Sequence, residues 1–225
     1  MVRNSDSLRR LSLMAGSRSN EMVRRVIRSL NGQFEIGAWL NVNGLSAPPI
    51  FDTKQDLFSL AIKELDECQN PLYLEFGVYQ GESLRWWLNN LPAECARFIG
   101  FDSFEGLPQN WTDEFKKGHF ATEIPQFFDD RVHLKVGYFD ETLCDFVLPA
   151  SAKKVINFDA DLYSSTQTVL TFLGPQLVDG DLLYFDEFHL GEQKALSDFL
   201  SNSTVKVTPL ASTRNLACWL LRVTE

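Results

Sequence analysis

The feature that most constrains this chain is a short, mostly apolar run, Leu72–Phe76, which ends at Gly77 and leads into a helical pattern over Glu82–Asn90. A strand that turns through glycine into a helix needs a crossover back to a parallel neighbour. The same alternation then recurs. Apolar runs suited to strands fall at 98–101, Val132–Val136, 155–158 and Leu182–Phe185, and helical periodicity falls at 164–173 and 192–200. Two further runs, 205–210 and 216–223, lie too close together for a helical crossover and predict a hairpin.

Strands separated by helices imply right-handed crossovers and a mainly parallel sheet. The expected fold is therefore α/β: a Rossmann-like, doubly wound, mainly parallel seven-stranded sheet with a C-terminal antiparallel hairpin and helices on both faces. At 225 residues the chain suits one domain with a sizeable core. Residues 51–225 are read as that domain and residues 1–50 as a separate N-terminal segment. The latter opens with a basic, Ser-rich leader (Arg9, Arg10, Arg18, Arg24, Arg25). A helix follows from Glu21 to Leu30, stopped by Asn31-Gly32, with a loop over 33–52. Its apolar stripe suits either a lid over the site or a contact with a second copy in a homo-oligomer. Asp52 or Thr53 can cap the next helix, whose apolar set is Leu57, Leu60, Ala61 and Leu65.

Charge and cysteines narrow the function classes. The net charge is −9, which argues against nucleic acid and against an anionic membrane surface as partner. No run of about 18 apolar residues is present, so no spanning helix is expected. Cys68, Cys95, Cys144 and Cys218 form no metal or disulfide pattern. Reduced thiols and a cytoplasmic location follow as the expectation.

In an open α/β sheet, ligands bind beyond the carboxyl ends of the strands. Four candidate sites fall there. Glu75-Phe76-Gly77-Val78-Tyr79-Gln80-Gly81-Glu82-Ser83 combines a tight glycine turn with a helix N-terminus. It is not the G-x-G-x-x-G of dinucleotide enzymes, and a carboxylate at Glu75 would repel a pyrophosphate but attract a cationic ligand. Asp102, at the next strand end, suits ribose hydroxyls, and Ser103 and Phe104 can flank an adenine. Asn157-Phe158-Asp159-Ala160-Asp161 and Phe185-Asp186-Glu187-Phe188-His189 place carboxylates beyond two more strands. Asp159, Asp186 and Glu187 suit one hard cation, Mg²⁺ or Ca²⁺, or they serve as helix and loop caps. The aromatic segment 108–130 (Trp111, Phe115, Phe120, Phe127, Phe128) reads as an insertion over this face.

These residues resemble the class I S-adenosylmethionine (SAM)-dependent methyltransferases, and within them the macrocin O-methyltransferase group of metal-dependent sugar O-methyltransferases. The resemblance runs from about Phe51 to Phe199. It is carried by F-D-S-F-E-G-L-P at 101–108, D-A-D-L-Y-S-S-T at 159–166, and the acidic pair Asp186-Glu187 followed by A-L-S-D-F at 195–199. It implies that Glu75, Phe76, Gly77, Gly81 and Ser83 hold the methionine part of SAM. It implies that Asp102 binds the ribose, and that Ser103, Phe104, Gly137 and Tyr138 lie near the adenine. Asp159, Asp186 and Glu187 match Mg²⁺ ligands, with Asp159 also beside the cofactor. The acceptor would be a hydroxyl of a sugar or glycosylated small molecule, with Asp159, Asp161 or His189 as base. The chain departs from the pattern in two places. It has Asp186-Glu187-Phe188 where the family has two aspartates and a tyrosine, and Asp179-Gly180 where a glycine pair is usual. Two alternatives stand beside this reading. One is a metal-independent small-molecule methyltransferase using His189 or Asp161 as base. The other is a non-catalytic glycan-binding partner protein on the same fold.

Overall fold

Leu72–Phe76 forms strand β2, and all five residues are buried because the strand is paired on both edges, with Arg97–Asp102 (β3) and Lys154–Phe158 (β5). A computed structural model describes residues 12–13, 16, 21–65, 70–91, 94, 96–111, 114–149 and 153–224. Cys68, Cys95 and most of the basic leader, including Arg9, Arg10 and Arg18, lie outside the described residues. The chain divides into two compact units, Met1–Asn43 and Gly44–Glu225.

In the first unit, helix α1 spans Glu21–Val42. It runs straight through Asn31-Gly32, where a stop was expected, so residues 33–42 are helical rather than loop. A glycine inside a helix costs only about 1 kcal/mol. Ile36, Trp39 and Leu40 continue the apolar spacing beyond it and are buried, which outweighs that cost. The helix ends before Gly44, whose φ is +64°.

The second unit is a single sheet with the order β1-β7-β8-β6-β5-β2-β3-β4. Its strands are β1 (Ile50–Phe51), β2, β3, β4 (Val132–Val136), β5, β6 (Leu182–Phe185), β7 (Lys206–Thr213) and β8 (Trp219–Thr224). Only β8 runs antiparallel to its neighbours. The sheet thus has eight strands rather than the expected seven. The addition is β1, two residues that pair in parallel with Ser212 and Thr213; so short a run has no periodicity to read. The helices are α2 (Lys54–Glu64), α3 (Glu82–Asn90), α4 (Phe139–Thr142), α5 (Tyr163–Leu173) and α6 (Glu192–Ser201). Thr53 caps α2 through a capping box with Asp56.

The core explains the high aromatic content. Phe58 of α2 meets Trp86 and Trp87 of α3 and Tyr184 of β6, and Tyr73 of β2 stacks on Trp87 at 4.8 Å. On another layer Phe76 stacks on Phe101, and Phe158 on Phe185. Such residues bring both burial area and preferred ring geometry. They hold the carboxyl ends of β2, β3, β5 and β6 side by side, which is where the candidate residues lie.

Candidate active site

The turn after β2 is shaped by close approach. Gly77 has φ +98°, and a Cβ there would fall 1.8 Å from the carbonyl oxygen of Asp159. Only glycine lets the ends of β2 and β5 meet so tightly. Gly81, at φ +77°, starts α3, and a side chain there would strike the Phe127 ring at 2.8 Å. Between them, Val78 and Tyr79 donate their backbone N–H groups to Asp102 Oδ2, each at 2.8 Å. Asp102 Oδ1 accepts from Phe104 N at 2.8 Å. A carboxylate has about four acceptor positions, so Asp102 stitches the loop to the end of β3 and keeps about one for a ligand.

This edge opens into a cavity of about 630 Å³. Gly77, Asp102, Ser103, Gly137 and Tyr138 line one part, and Asp159, Asp161, Asp186 and Glu187 another. Trp111, Phe115 and Phe120 form an aromatic wall. Of the remaining candidates, Glu75, Phe76, Gly81, Ser83, Phe104 and His189 do not contribute to the lining. Glu75 lies beneath it, 1% exposed. Phe76 is enclosed among Phe101, Phe139 and Phe158. Phe127 instead carries the Arg85 guanidinium over its ring, and Phe128 is 97% exposed.

The acidic part is electrostatically incomplete. Burial, then repulsion from Glu187 and Asp186, pushes the Asp161 carboxyl up to about 7. Burial and Asp186 push Glu187 to about 7. Asp159 is raised well above the carboxylate range by burial, with Asp186 next. Asp186 itself is anchored, accepting from Tyr184 Oη at 2.7 Å and lying 3.5 Å from Lys54 Nζ. His189 Nδ1 stands 3.7 Å from Glu187 Oε2, and burial lowers its pKa.

Several residues here were not anticipated. Glu192, expected only as the first residue of a helix, is fully buried; its Oε2 accepts from Glu187 N at 3.2 Å. Its Oε1 has no hydrogen-bond partner among the described residues. Lys54 reaches Asp186 from α2, 132 positions away along the chain. Beneath the site, Tyr73 Oη donates to Glu75 Oε2 at 2.8 Å and Asn157 Nδ2 donates to Tyr73 Oη at 3.0 Å. The alternation of Tyr73 and Glu75 in one strand was a signal that they share a face. Nothing local signalled Lys54.

A methyltransferase-domain family model matches residues 74–188, just over half of the chain, from within β2 to just past β6. The chain belongs to this methyltransferase family. No curated protein sequence matches it. Solved structures with the same fold include the O-methyltransferase NovP, at 17% identity and TM-score 0.59, covering 76% of this chain and 79% of that one. CalS11, titled a TDP-rhamnose 3'-O-methyltransferase of calicheamicin biosynthesis, shares 23% identity at TM-score 0.51, covering 75% and 79%. CmcI, in a form titled with Mg and SAM, shares 18% at TM-score 0.50, covering 75% and 72%.

As a SAM-dependent methyltransferase, the protein has its glycine turn, Asp102 and the carboxylates on one cavity. The donor set of Asp159, Asp161, Asp186 and Glu187 is all oxygen, which suits a hard divalent cation. Burial is the first cause of the raised pKa values of Asp159, Asp161 and Glu187 and their neighbouring carboxyls the next, and the Glu192 Oε1 beside them has no hydrogen-bond partner among the described residues. The chemistry of the site therefore fits Mg²⁺. As the side chains stand, no group of three or more His, Cys, Asp or Glu among the described residues is gathered as a metal site. Among those residues, no helix is long and apolar enough to cross a membrane.

Proposed function

We propose that this protein methylates a hydroxyl of a sugar or glycosylated small molecule, with assistance from Mg²⁺. The observation that carries the reading is the shared cavity. Gly77, Asp102 and the four carboxylates Asp159, Asp161, Asp186 and Glu187 line one space of about 630 Å³, large enough for a cofactor and part of an acceptor. Sharing a fold with CmcI, NovP and CalS11 is in keeping with it.

SAM, when bound, supplies a methyl carbon on a positively charged sulfur. The turn at Gly77 lets the backbone approach the methionine part, Asp102 offers its remaining acceptor position to the ribose, and Gly137 and Tyr138 border the adenine side. Transfer of that methyl group to an acceptor oxygen would leave the C–S electron pair on sulfur, and a carboxylate of this chain would take the hydroxyl proton. The protein's contribution is mainly to orient the two reactants. Asp159 and Asp161 both line the cavity and are candidate bases, because a carboxyl whose pKa lies near neutrality suits proton transfer. His189 is set back from the cavity. Mg²⁺, held by Asp159, Asp186 and Glu187, would supply positive charge beside the acceptor oxygen.

Calorimetric titration with SAM tests the first part. Wild-type protein should bind, and Asp102→Ala and Gly81→Val should bind at least 10-fold more weakly. A wild type that binds no SAM sinks the proposal. Chelation tests the second: activity that survives EDTA and is not raised by added Mg²⁺ transfers the reading to a metal-independent enzyme using Asp161 as base.

A further inference from the structure

We infer that Tyr184, Lys54 and Cys218 form a rear clamp that leaves Asp186 one oxygen to offer the cavity, and that this clamp makes the site prefer Mg²⁺ to Ca²⁺. The inference rests on the Mg²⁺-assisted reading and names the residues that choose its cation.

Three contacts converge on one atom. Tyr184 Oη donates to Asp186 Oδ1 at 2.7 Å, Lys54 Nζ lies 3.5 Å from the same oxygen, and the Cys218 thiol lies 3.6 Å from it. Asp186 lines the cavity, whereas Tyr184, Lys54 and Cys218 do not. The donors therefore stand behind the carboxylate. Among the described residues no hydrogen bond or ion pair engages Oδ2, which is left for the cavity.

Separate elements build this clamp. Tyr184 and Asp186 alternate along β6 and the residue that follows it, which puts both side chains on one face. Tyr184 is buried, edge-on to Phe58 at 4.8 Å, so its hydroxyl has a fixed position. The backbone of Asp186 is fixed as well, because its N–H donates to the Phe158 carbonyl at 3.0 Å. Lys54 is the first residue of α2, seated there by the Thr53 capping box. Cys218 comes from the turn between β7 and β8, where its N–H donates to Thr213 Oγ1 at 3.0 Å. Its thiol also lies 3.5 Å from the Asp186 carbonyl oxygen.

A carboxylate oxygen has about two acceptor positions. Tyr184 and Lys54 take those of Oδ1, and a metal ion arriving there would be repelled by the Lys54 ammonium. Asp186 can thus serve a metal through Oδ2 alone. This bears on the two hard cations differently. Ca²⁺ gathers more oxygen ligands, in looser geometry, and often takes both oxygens of a carboxylate. Mg²⁺ holds a tight octahedron made of few carboxylates and several waters. A carboxylate locked to one oxygen deprives Ca²⁺ of a ligand and suits Mg²⁺. Hydrogen-bond partners of ligating groups tune a site in this way without touching the metal.

The test titrates the full chain, saturated with S-adenosylhomocysteine, with MgCl₂ and with CaCl₂ in a calorimeter and reads the ratio of the two Kd values. Wild-type protein should bind Mg²⁺ more tightly than Ca²⁺. Tyr184→Phe deletes one hydroxyl and keeps the ring against Phe58, and it should shift the ratio toward Ca²⁺ by about 10-fold. Lys54→Met, at a half-exposed position, should shift it the same way, and Lys54→Arg should keep the wild-type ratio. Cys218→Ala loses only a weak donor and should shift it by about 2-fold. A purely structural role would weaken both cations alike. A ratio that stays put, or moves toward Mg²⁺, in either Tyr184→Phe or Lys54→Met therefore overturns the inference, as does a wild type that prefers Ca²⁺. A wild type that binds S-adenosylhomocysteine but neither cation strikes the Mg²⁺-assisted reading itself, and the inference falls with it.

Discussion

The two halves of the cavity are built on opposite principles. Around the glycine turn the polar groups satisfy one another: Asp102 accepts three backbone N–H bonds, and Gly77 seats against Asp159. Around the ends of β5 and β6 they do not. Carboxylates crowd together, their pKa values rise, and one oxygen of Glu192 is left without a partner among the described residues. The first half is pre-formed by backbone geometry. The second gathers carboxyls that burial and one another push toward the protonated form. A pre-formed half should respond to changes of shape, and an unbalanced half to changes of charge.

The largest expected effect tests the unbalanced half. Asp159→Asn keeps the shape and removes a charge. Its kcat should fall by about 10³-fold, as for loss of a general base. The SAM Kd should change by less than 5-fold, and the melting temperature should hold or rise, because repulsion is relieved. A large fall in melting temperature would show that Asp159 is structural instead.

The mirror experiment is Gly77→Ala. Its Cβ would need the Asp159 carbonyl to move from 1.8 Å, and alanine dislikes φ +98°. Stability should drop by about 3 kcal/mol, with SAM affinity falling at least 10-fold. Denaturant melts and calorimetry read both. Retention of full SAM affinity would break the claim that this half works by shape.

Glu75 lies below both halves and tests how far the imbalance extends. Burial, opposed by the Tyr73 hydrogen bond, raises its carboxyl from 4.5 to about 8. The folded state therefore holds this proton more tightly than the unfolded chain. The associated stability is full below about 4.5 and is lost as pH rises through about 8. The loss is on the order of 4 kcal/mol for a shift of this size. Glu75→Gln should flatten the decline in stability between pH 5 and 8, and unchanged pH dependence would remove Glu75 from the account.

The smallest effect concerns Lys54. Lys54→Met should lower kcat by about 10-fold by freeing Asp186 to reorient, and Lys54→Arg should restore most of it. Equal damage by both would point to packing rather than charge.

Much of the architecture was legible because periodicity is a local property. β4 and β6 match their apolar runs residue for residue, as does α3 its helical pattern, and the hairpin of β7 and β8 followed from a short connection. The failures share a cause. α1 outran Asn31-Gly32 because burial of Ile36, Trp39 and Leu40 is a tertiary gain that a local stop signal does not report. β1 and α4 are too short to carry a period.

For the site, the sequence by itself placed Gly77, Asp102, Asp159, Asp161, Asp186 and Glu187 at strand ends, since a parallel sheet sends every strand's carboxyl end to one edge. What only the tertiary structure decided is which of them face a common space. Packing buried the strand face that Tyr73 and Glu75 share and set His189 back from the cavity. It also brought Lys54 and the buried Glu192 against the acids. Side-chain direction depends on contacts between residues far apart in the chain, and no local pattern encodes those.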